Sequence, residues 1–138
     1  MTVKLNAYLA FRDNAREAME FYQSVFGGEV HQDTFESFHV SDDPSENNKL
    51  MHADLKAPSV QIMAADTPNS MDLTIGDNVS LALSGSDDDE AELKSYWDKL
   101  VEGGKVNQPL EKAPWGAYFG MCTDKFGINW MVNIGGIQ

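Results

Sequence analysis

The residues of this chain that could do chemistry are few, and each has an ordinary structural reading beside its reactive one. His52 lies in the run Leu50-Met51-His52-Ala53-Asp54-Leu55. Alternate residues of a strand share a face, which groups His52 with Leu50 and Asp54. A histidine beside a carboxylate has the makings of a general base with its orienting partner. The plainer alternative is a structural, hydrogen-bonded histidine. His31 and His39 fall in or near loops, where solvation is expected. Cys122 is the only cysteine, and no His or Lys neighbours it in sequence, so a buried inert thiol is expected rather than a nucleophile. The segment Pro114–Gly120, PWGAYFG, sets Trp115, Tyr118 and Phe119 beside two glycines. Aromatics so placed can stack on a planar ligand, or serve as core or dimer contacts. The acidic run Asp87–Glu90 reads as a solvated first helical turn favoured by the helix dipole, in preference to a metal site.

Two similar stretches show which elements must position these groups. Phe21, Val25, Gly27 and Gly28 precede Trp97, Val101, Gly103 and Gly104 by one common offset, 104 − 28 = 76 positions. Each stretch reads as the end of a helix stopped by a glycine in the left-handed conformation. Around the first copy, alternation predicts a strand over Leu5–Phe11. A helix follows from a cap at Asp13 or Asn14, with Ala15, Ala18, Phe21, Tyr22 and Val25 on one face. Strands are then expected near Val30–Phe38, Leu50–Leu55 and Ser59–Ala64, with a turn-rich loop over Ser41–Lys49. Around the second copy, strands are expected at Val79–Ser84, Val106–Leu110, Ala117–Thr123 and Ile128–Val132. The helix between the first two of these carries Leu93, Tyr96, Trp97, Leu100 and Val101.

The expected fold class is therefore α+β. Two tandem βαβββ modules, residues 1–65 and 79–138, are joined by a linker over 66–78 in one domain spanning 1–138. Each sheet has a helix on one face only. Two such modules can curve their mixed sheets around a shared cleft, the natural place for a ligand.

The chain has 138 residues and a net charge of −12, with 22 acidic residues against 10 basic. That balance argues against nucleic acid and against an anionic membrane surface as partners. One cysteine excludes an intrachain disulfide, and a cytoplasmic location is expected. No apolar run reaches the length of a membrane span, and the first residues alternate like a strand instead of forming a signal peptide.

The chain resembles the vicinal oxygen chelate superfamily, which includes glyoxalase I, extradiol dioxygenases and the bleomycin- and fosfomycin-resistance proteins. Within it, the PhnB-like group is the nearer match. The resemblance is carried by Ala7–Phe11, Phe21–Val30, Met51–Leu55, Ser80–Ser84, the Gly103-Gly104 turn and above all Pro114–Asn133. His52 matches a histidine of the PhnB-like pattern. Members of this group often carry the label demethylubiquinone methyltransferase. The chain lacks the G-x-G-x-x-G turn and doubly wound pattern that would hold an S-adenosyl cofactor.

In metal-using relatives, the first and fourth strands of each module supply four ligands to one divalent ion. By strand position, the resemblance puts Asn6, Met63, Ser80 and Met131 at those places, or Tyr8 and Ala82 in the first strands if the alignment slips by two. Such a set suits no hard or borderline divalent ion, because it lacks carboxylate and imidazole. No metal and no cofactor are expected. The implied ligand is a medium-sized organic molecule in an aromatic, methionine-rich cleft. Asn6, Tyr8, Gln61, Met63, Ser80, Trp115, Tyr118, Asn129 and Met131 are its expected contacts. The implied partner protein is a second copy of the chain, and His52 is the candidate catalytic residue if there is a reaction.

Overall fold

The structure, a computed structural model, describes residues 3–39 and 41–135. The chain divides into two compact units, one ending at Ile75 and the other beginning at Gly76.

In the first unit, β1 (Ala7–Phe11) leads into α1 (Ala15–Phe26), followed by β2 (Glu29–Thr34), a single helical turn α2 (Phe35–Phe38), β3 (Leu50–Lys56) and β4 (Gln61–Asp66). The strand order is β1-β4-β3-β2. β1 runs parallel to β4, and the other pairs are antiparallel. The apolar stripe of α1, including Met19, Tyr22 and Val25, is buried against β3 and β4. Leu55 and Ile62 meet it from the sheet, both almost fully buried. Each large side chain so buried contributes roughly 1.5–3 kcal/mol.

The second unit repeats the plan with β5 (Leu81–Gly85), α3 (Glu90–Leu100), β6 (Lys105–Lys112), β7 (Tyr118–Thr123) and β8 (Asn129–Ile134), ordered β5-β8-β7-β6. Leu93, Trp97 and Leu100 of α3 are buried, as are Trp130, Val132 and Ile134 of β8. The fold is thus α+β, with a four-stranded mixed sheet and one long helix in each unit.

The paired glycines have a physical reason in both units. Gly27 closes α1 at φ 75°, and Gly103 takes φ 73° just after α3, a region costly for residues with a Cβ. The second glycine of each pair lies against the backbone of its unit's third strand. A Cβ on Gly28 would collide with the Lys56 carbonyl oxygen, and one on Gly104 with that of Thr123.

Four local expectations are corrected. β2 ends at Thr34 instead of running to Phe38. The Thr34 hydroxyl accepts the Ser37 N–H at 3.2 Å, and the turn it caps buries Phe35. His31 lies within β2 and not in a loop. Leu50 does not share a face with His52, because the β2–β3 ladder shifts register between Asp33 and Thr34 and Leu50 turns into the core. β4 extends to Asp66, the first residue assigned to the linker. Beyond it, the Arg12 guanidinium donates to the carbonyls of Thr67, Pro68 and Met71 at 2.7–3.0 Å, tying the segment to the end of β1.

Candidate functional site

The face of each sheet turned away from its helix carries the candidate residues. In the first unit, strand register sets Tyr8 beside Met63, Met63 beside Asp54, and Asp54 beside His31. A neighbouring pair joins His52 to Asp33. Tyr8 is 56% exposed, and its ring lies 6.0 Å from the His52 ring, tilted by 34°. The Asp54 carboxylate accepts from Gln61 Nε2 at 3.2 Å and lies 3.8 Å from Lys56 Nζ. Asp33 is taken by His31, 3.1 Å away. His52 therefore has an aromatic neighbour but no hydrogen bond to Asp54, and the base–carboxylate pair that the sequence allows is not formed. Asn6 stands just before β1, half-buried.

In the second unit, the corresponding row sets Ala82 beside Met131, Met131 beside Met121, and Met121 beside Gln108. A second row joins Ser84, Asn133, Phe119 and Glu111, and a third joins Asn129, Thr123 and Lys105. The ladder slips between Val106 and Gln108, which frees Asn107 to donate to Thr123 Oγ1 at 2.9 Å. Thr123 in turn donates to Asn129 Oδ1 at 2.8 Å, and Asn129 Nδ2 reaches the Val79 carbonyl at 3.4 Å. Ser80 and Asn129 line one groove of about 680 Å³ with Lys105, Asn107, Met121 and Thr123. Trp115, 61% exposed, packs edge-on to Phe119 with ring centroids 5.9 Å apart. These two rings and Met121 line another groove, of about 350 Å³.

Tyr118 stands apart from this set. It alternates with Phe119 onto the helix side, where Lys94 of α3 sits 4.7 Å from its ring centroid. Phe119 is the aromatic that the open face presents. Strand alternation could have made that choice, because Gly120 and Cys122 are buried on the Tyr118 side. Burial first, and the nearby Asp124 carboxylate second, push the Cys122 thiol up to about 11, so it carries no thiolate at neutral pH.

Neither a divalent ion nor an S-adenosyl group fits these residues. Among the described residues, no three His, Cys, Asp or Glu side chains are placed to hold a metal. The Cα partners of Met63 and Met131 are Tyr8 and Ala82, not Asn6 and Ser80. In the first unit that register sets a thioether beside a phenol, and in the second a thioether beside a methyl group, and neither pair includes the carboxylates or imidazoles that divalent ions favour. For the S-adenosyl group, each sheet has one parallel pair among the described residues, and the first strand-to-helix turn, Arg12-Asp13-Asn14, has no glycine to bring backbone close to a cofactor. No helix among the described residues is long and apolar enough to cross a membrane.

Comparison with known proteins supplies the family. The profile of the family described as 3-demethylubiquinone-9 3-methyltransferase matches residues 3–133. The crystal structure of protein PA1353 from Pseudomonas aeruginosa is similar over 97% of this chain and 98% of its own, with 34% identity and a TM-score of 0.80. A putative 3-demethylubiquinone-9 3-methyltransferase from Bacillus cereus, called PhnB protein, aligns over 96% and 100% at 24% identity and a TM-score of 0.74. The fosfomycin resistance protein FosX from Mesorhizobium loti shares the fold alone, at 10% identity over 99% and 96% with a TM-score of 0.61. The chain belongs to the 3-demethylubiquinone-9 3-methyltransferase family, and it shares its fold with the fosfomycin resistance protein FosX.

Proposed function

We propose that this protein binds a medium-sized organic molecule without a metal ion, in the manner of the resistance-type members of its superfamily, and that it works as a homodimer. The observation carrying this reading is the matched pair Met63 and Met131. They occupy equivalent places on β4 and β8, each next to a first-strand residue, Tyr8 or Ala82, that is neither a carboxylate nor an imidazole. A thioether on a flexible stem shapes itself to an apolar ligand, and the rings of Tyr8, Trp115 and Phe119 offer flat surfaces to stack on. A His52-based reaction has less behind it, because the carboxylate that would orient the imidazole is engaged by Gln61 and Lys56.

Elemental analysis of the purified protein, before and after incubation with zinc, nickel and manganese, is expected to find no stoichiometric metal. One tightly held metal per chain would overturn the metal-free reading. A thermal-shift screen of neutral and singly charged organic molecules is expected to give hits, since a ligand at 100 times its dissociation constant adds roughly 2.7 kcal/mol of stability. Among these hits, Trp115→Ala should abolish the shift while leaving the midpoint of the free protein within a few degrees. A stable monomer in light scattering at micromolar concentration would count against the dimer.

A further inference from the structure

We propose that the open face of the second unit selects an elongated organic anion: an aryl group seated on Trp115 and Phe119, and a carboxylate held by Lys105 at the far end of β7. This inference rests on the small-molecule reading above and adds the chemical class of the ligand.

The two grooves of this face are one strip. Met121 lines both of them, and along β7 the residues Phe119, Met121 and Thr123 point the same way, so the surface runs from ring to thioether to hydroxyl. Four residues of strand separate Phe119 from Thr123, about 13 Å at the usual rise. The ends differ in charge. Glu111 lies beside Phe119 in the register, while Lys105 lies beside Thr123. Lys112 lines the groove at the first end with Glu111 and offsets it, so a carboxylate gains little at the first end and is attracted at the second.

Lys105 is available for that role, as among the described residues its ammonium has no ion-pair partner. The acidic residues near it do not cancel it equally. Asp124 is buried, and its oxygens already accept the N–H groups of Phe126 and Ile128 and the Trp130 indole. Asp77 is exposed on the groove wall and opposes Lys105 in part. The stem of Lys125 lies along Gly103 on the same wall, but its ammonium sits over the Phe126 ring, 5.7 Å from the centroid, which leaves the carboxylate to Lys105. The Asn107–Thr123–Asn129 ladder supplies neutral hydrogen-bonding groups beside them. A cationic end in a chain of net charge −12 is a local exception that favours an anion there and nowhere else on this strip.

The test uses 6-phenylhexanoate, whose extended length is comparable to that stretch of strand, against 6-phenylhexan-1-ol, which lacks the charge, and hexanoate, which lacks the ring. Trp115 is exposed whereas Trp97 and Trp130 are 7% and 1% exposed, so tryptophan emission reports on this strip, and calorimetry provides a second readout. The acid is expected to bind about fivefold more tightly than the alcohol, the size of a solvent-exposed ion pair. Hexanoate should bind more weakly than either. Lys105→Ala should bring the acid down to the alcohol without changing the alcohol, and Lys99→Ala, exposed on α3 and outside both grooves, should leave the preference in place. Raising salt from about 20 mM to about 500 mM should narrow the acid–alcohol gap. Equal binding of acid and alcohol, or a preference that survives Lys105→Ala, overturns the assignment while leaving the small-molecule reading intact. Absence of binding by both ring-bearing probes at millimolar concentration overturns it as well, and hits elsewhere in the thermal-shift screen then decide the broader reading separately.

Discussion

In the first unit, β4 ends in Asp66, buried beside the start of α1, whereas in the second unit the matching last residue of β8 is the apolar Ile134. Asp66 binds two separate parts of its unit at once. Oδ1 accepts the Ala15 N–H at 2.9 Å, and Oδ2 accepts the Leu50 N–H at 2.9 Å. The first turn of α1 thus has its free N–H satisfied from 51 residues away, and Asn14, the residue at the cap position, contributes no side-chain bond. The second unit caps its helix locally. Ser86 and Asp89 form a reciprocal capping box just before α3. Its buried aspartate, Asp124, sits instead in the β7–β8 turn, at the other end of the fourth strand. The two units share a fold but fasten it at opposite ends, so a common architecture does not require common polar contacts.

Removing these two carboxylates gives the largest expected effects. Asp124→Ala removes the acceptor of the buried Trp130 indole and of the part-buried N–H groups of Phe126 and Ile128, and is expected to lower stability by about 4 kcal/mol, since a buried donor left unsatisfied costs about 1–3 kcal/mol and a part-buried one less. Asp66→Ala strands two donors, and about 3 kcal/mol is expected. Urea denaturation, followed by tryptophan emission and by circular dichroism, measures both. All three tryptophans belong to the second unit. If Asp66→Ala changes neither signal, the long-range cap is not what holds α1, and the contrast between the units fails.

The repeat was legible because its signals are local. Gly27-Gly28 and Gly103-Gly104, the alternation around Met63 and Met131, and the helical spacing of Phe21, Tyr22 and Val25 depend on residues close in sequence. The fastening was not legible. Asp66 stands at the head of a polar, proline-containing segment and looks like linker, and its partners lie at Ala15 and Leu50. The open faces were legible in part. Met63, Gln61, Asn129 and Met131 follow from alternation once β4 and β8 are placed. Alternation separates Tyr118 from Phe119, because Gly120 and Cys122 fall on the Tyr118 side, but Lys105 and Thr123 have no local mark, since a lysine after a turn and a threonine at a strand end form no distinctive pattern. The bulge at Asn107 likewise has no local mark.

The loop before β3 has no counterpart in the second unit, and its effect is conditional on pH. Glu46 is buried. The Lys49 ammonium, 2.7 Å away, holds its carboxyl down at about 2 from an ordinary 4.5, helped by the Asn69 N–H and the Ser41 hydroxyl. Because the folded value lies below the unfolded one, this stabilisation is fully present above about pH 4.5 and is lost as pH falls towards 2. Glu46→Gln should therefore destabilise the protein at neutral pH and flatten its stability between pH 4.5 and 2. A denaturation series over that range checks it. An unchanged slope would mean that the ion pair gives the first unit no acid sensitivity of its own.

The smallest effect belongs to the local cap. In Ser86→Ala the hydroxyl that donates to the Asp89 carboxylate at 3.3 Å is lost, while that carboxylate still accepts the Ser86 backbone N–H at 3.0 Å and the Asp89 N–H keeps the Ser86 carbonyl at 2.9 Å. Half the box remains, and the acidic first turn, Asp87 to Glu90, still favours the helix dipole. The cap is solvent-exposed, so water replaces the missing bond in part. About 1 kcal/mol is expected, the usual value for such a cap, against about 3 kcal/mol for Asp66→Ala. The ratio carries the argument, because both substitutions remove a hydrogen-bonding side chain at a helix start and differ chiefly in burial and in reach. Amide exchange in the first turns of α1 and α3 resolves them individually. If Ser86→Ala frees α3 as much as Asp66→Ala frees α1, local and long-range capping are energetically equivalent here, and the difference between the two units is one of position alone.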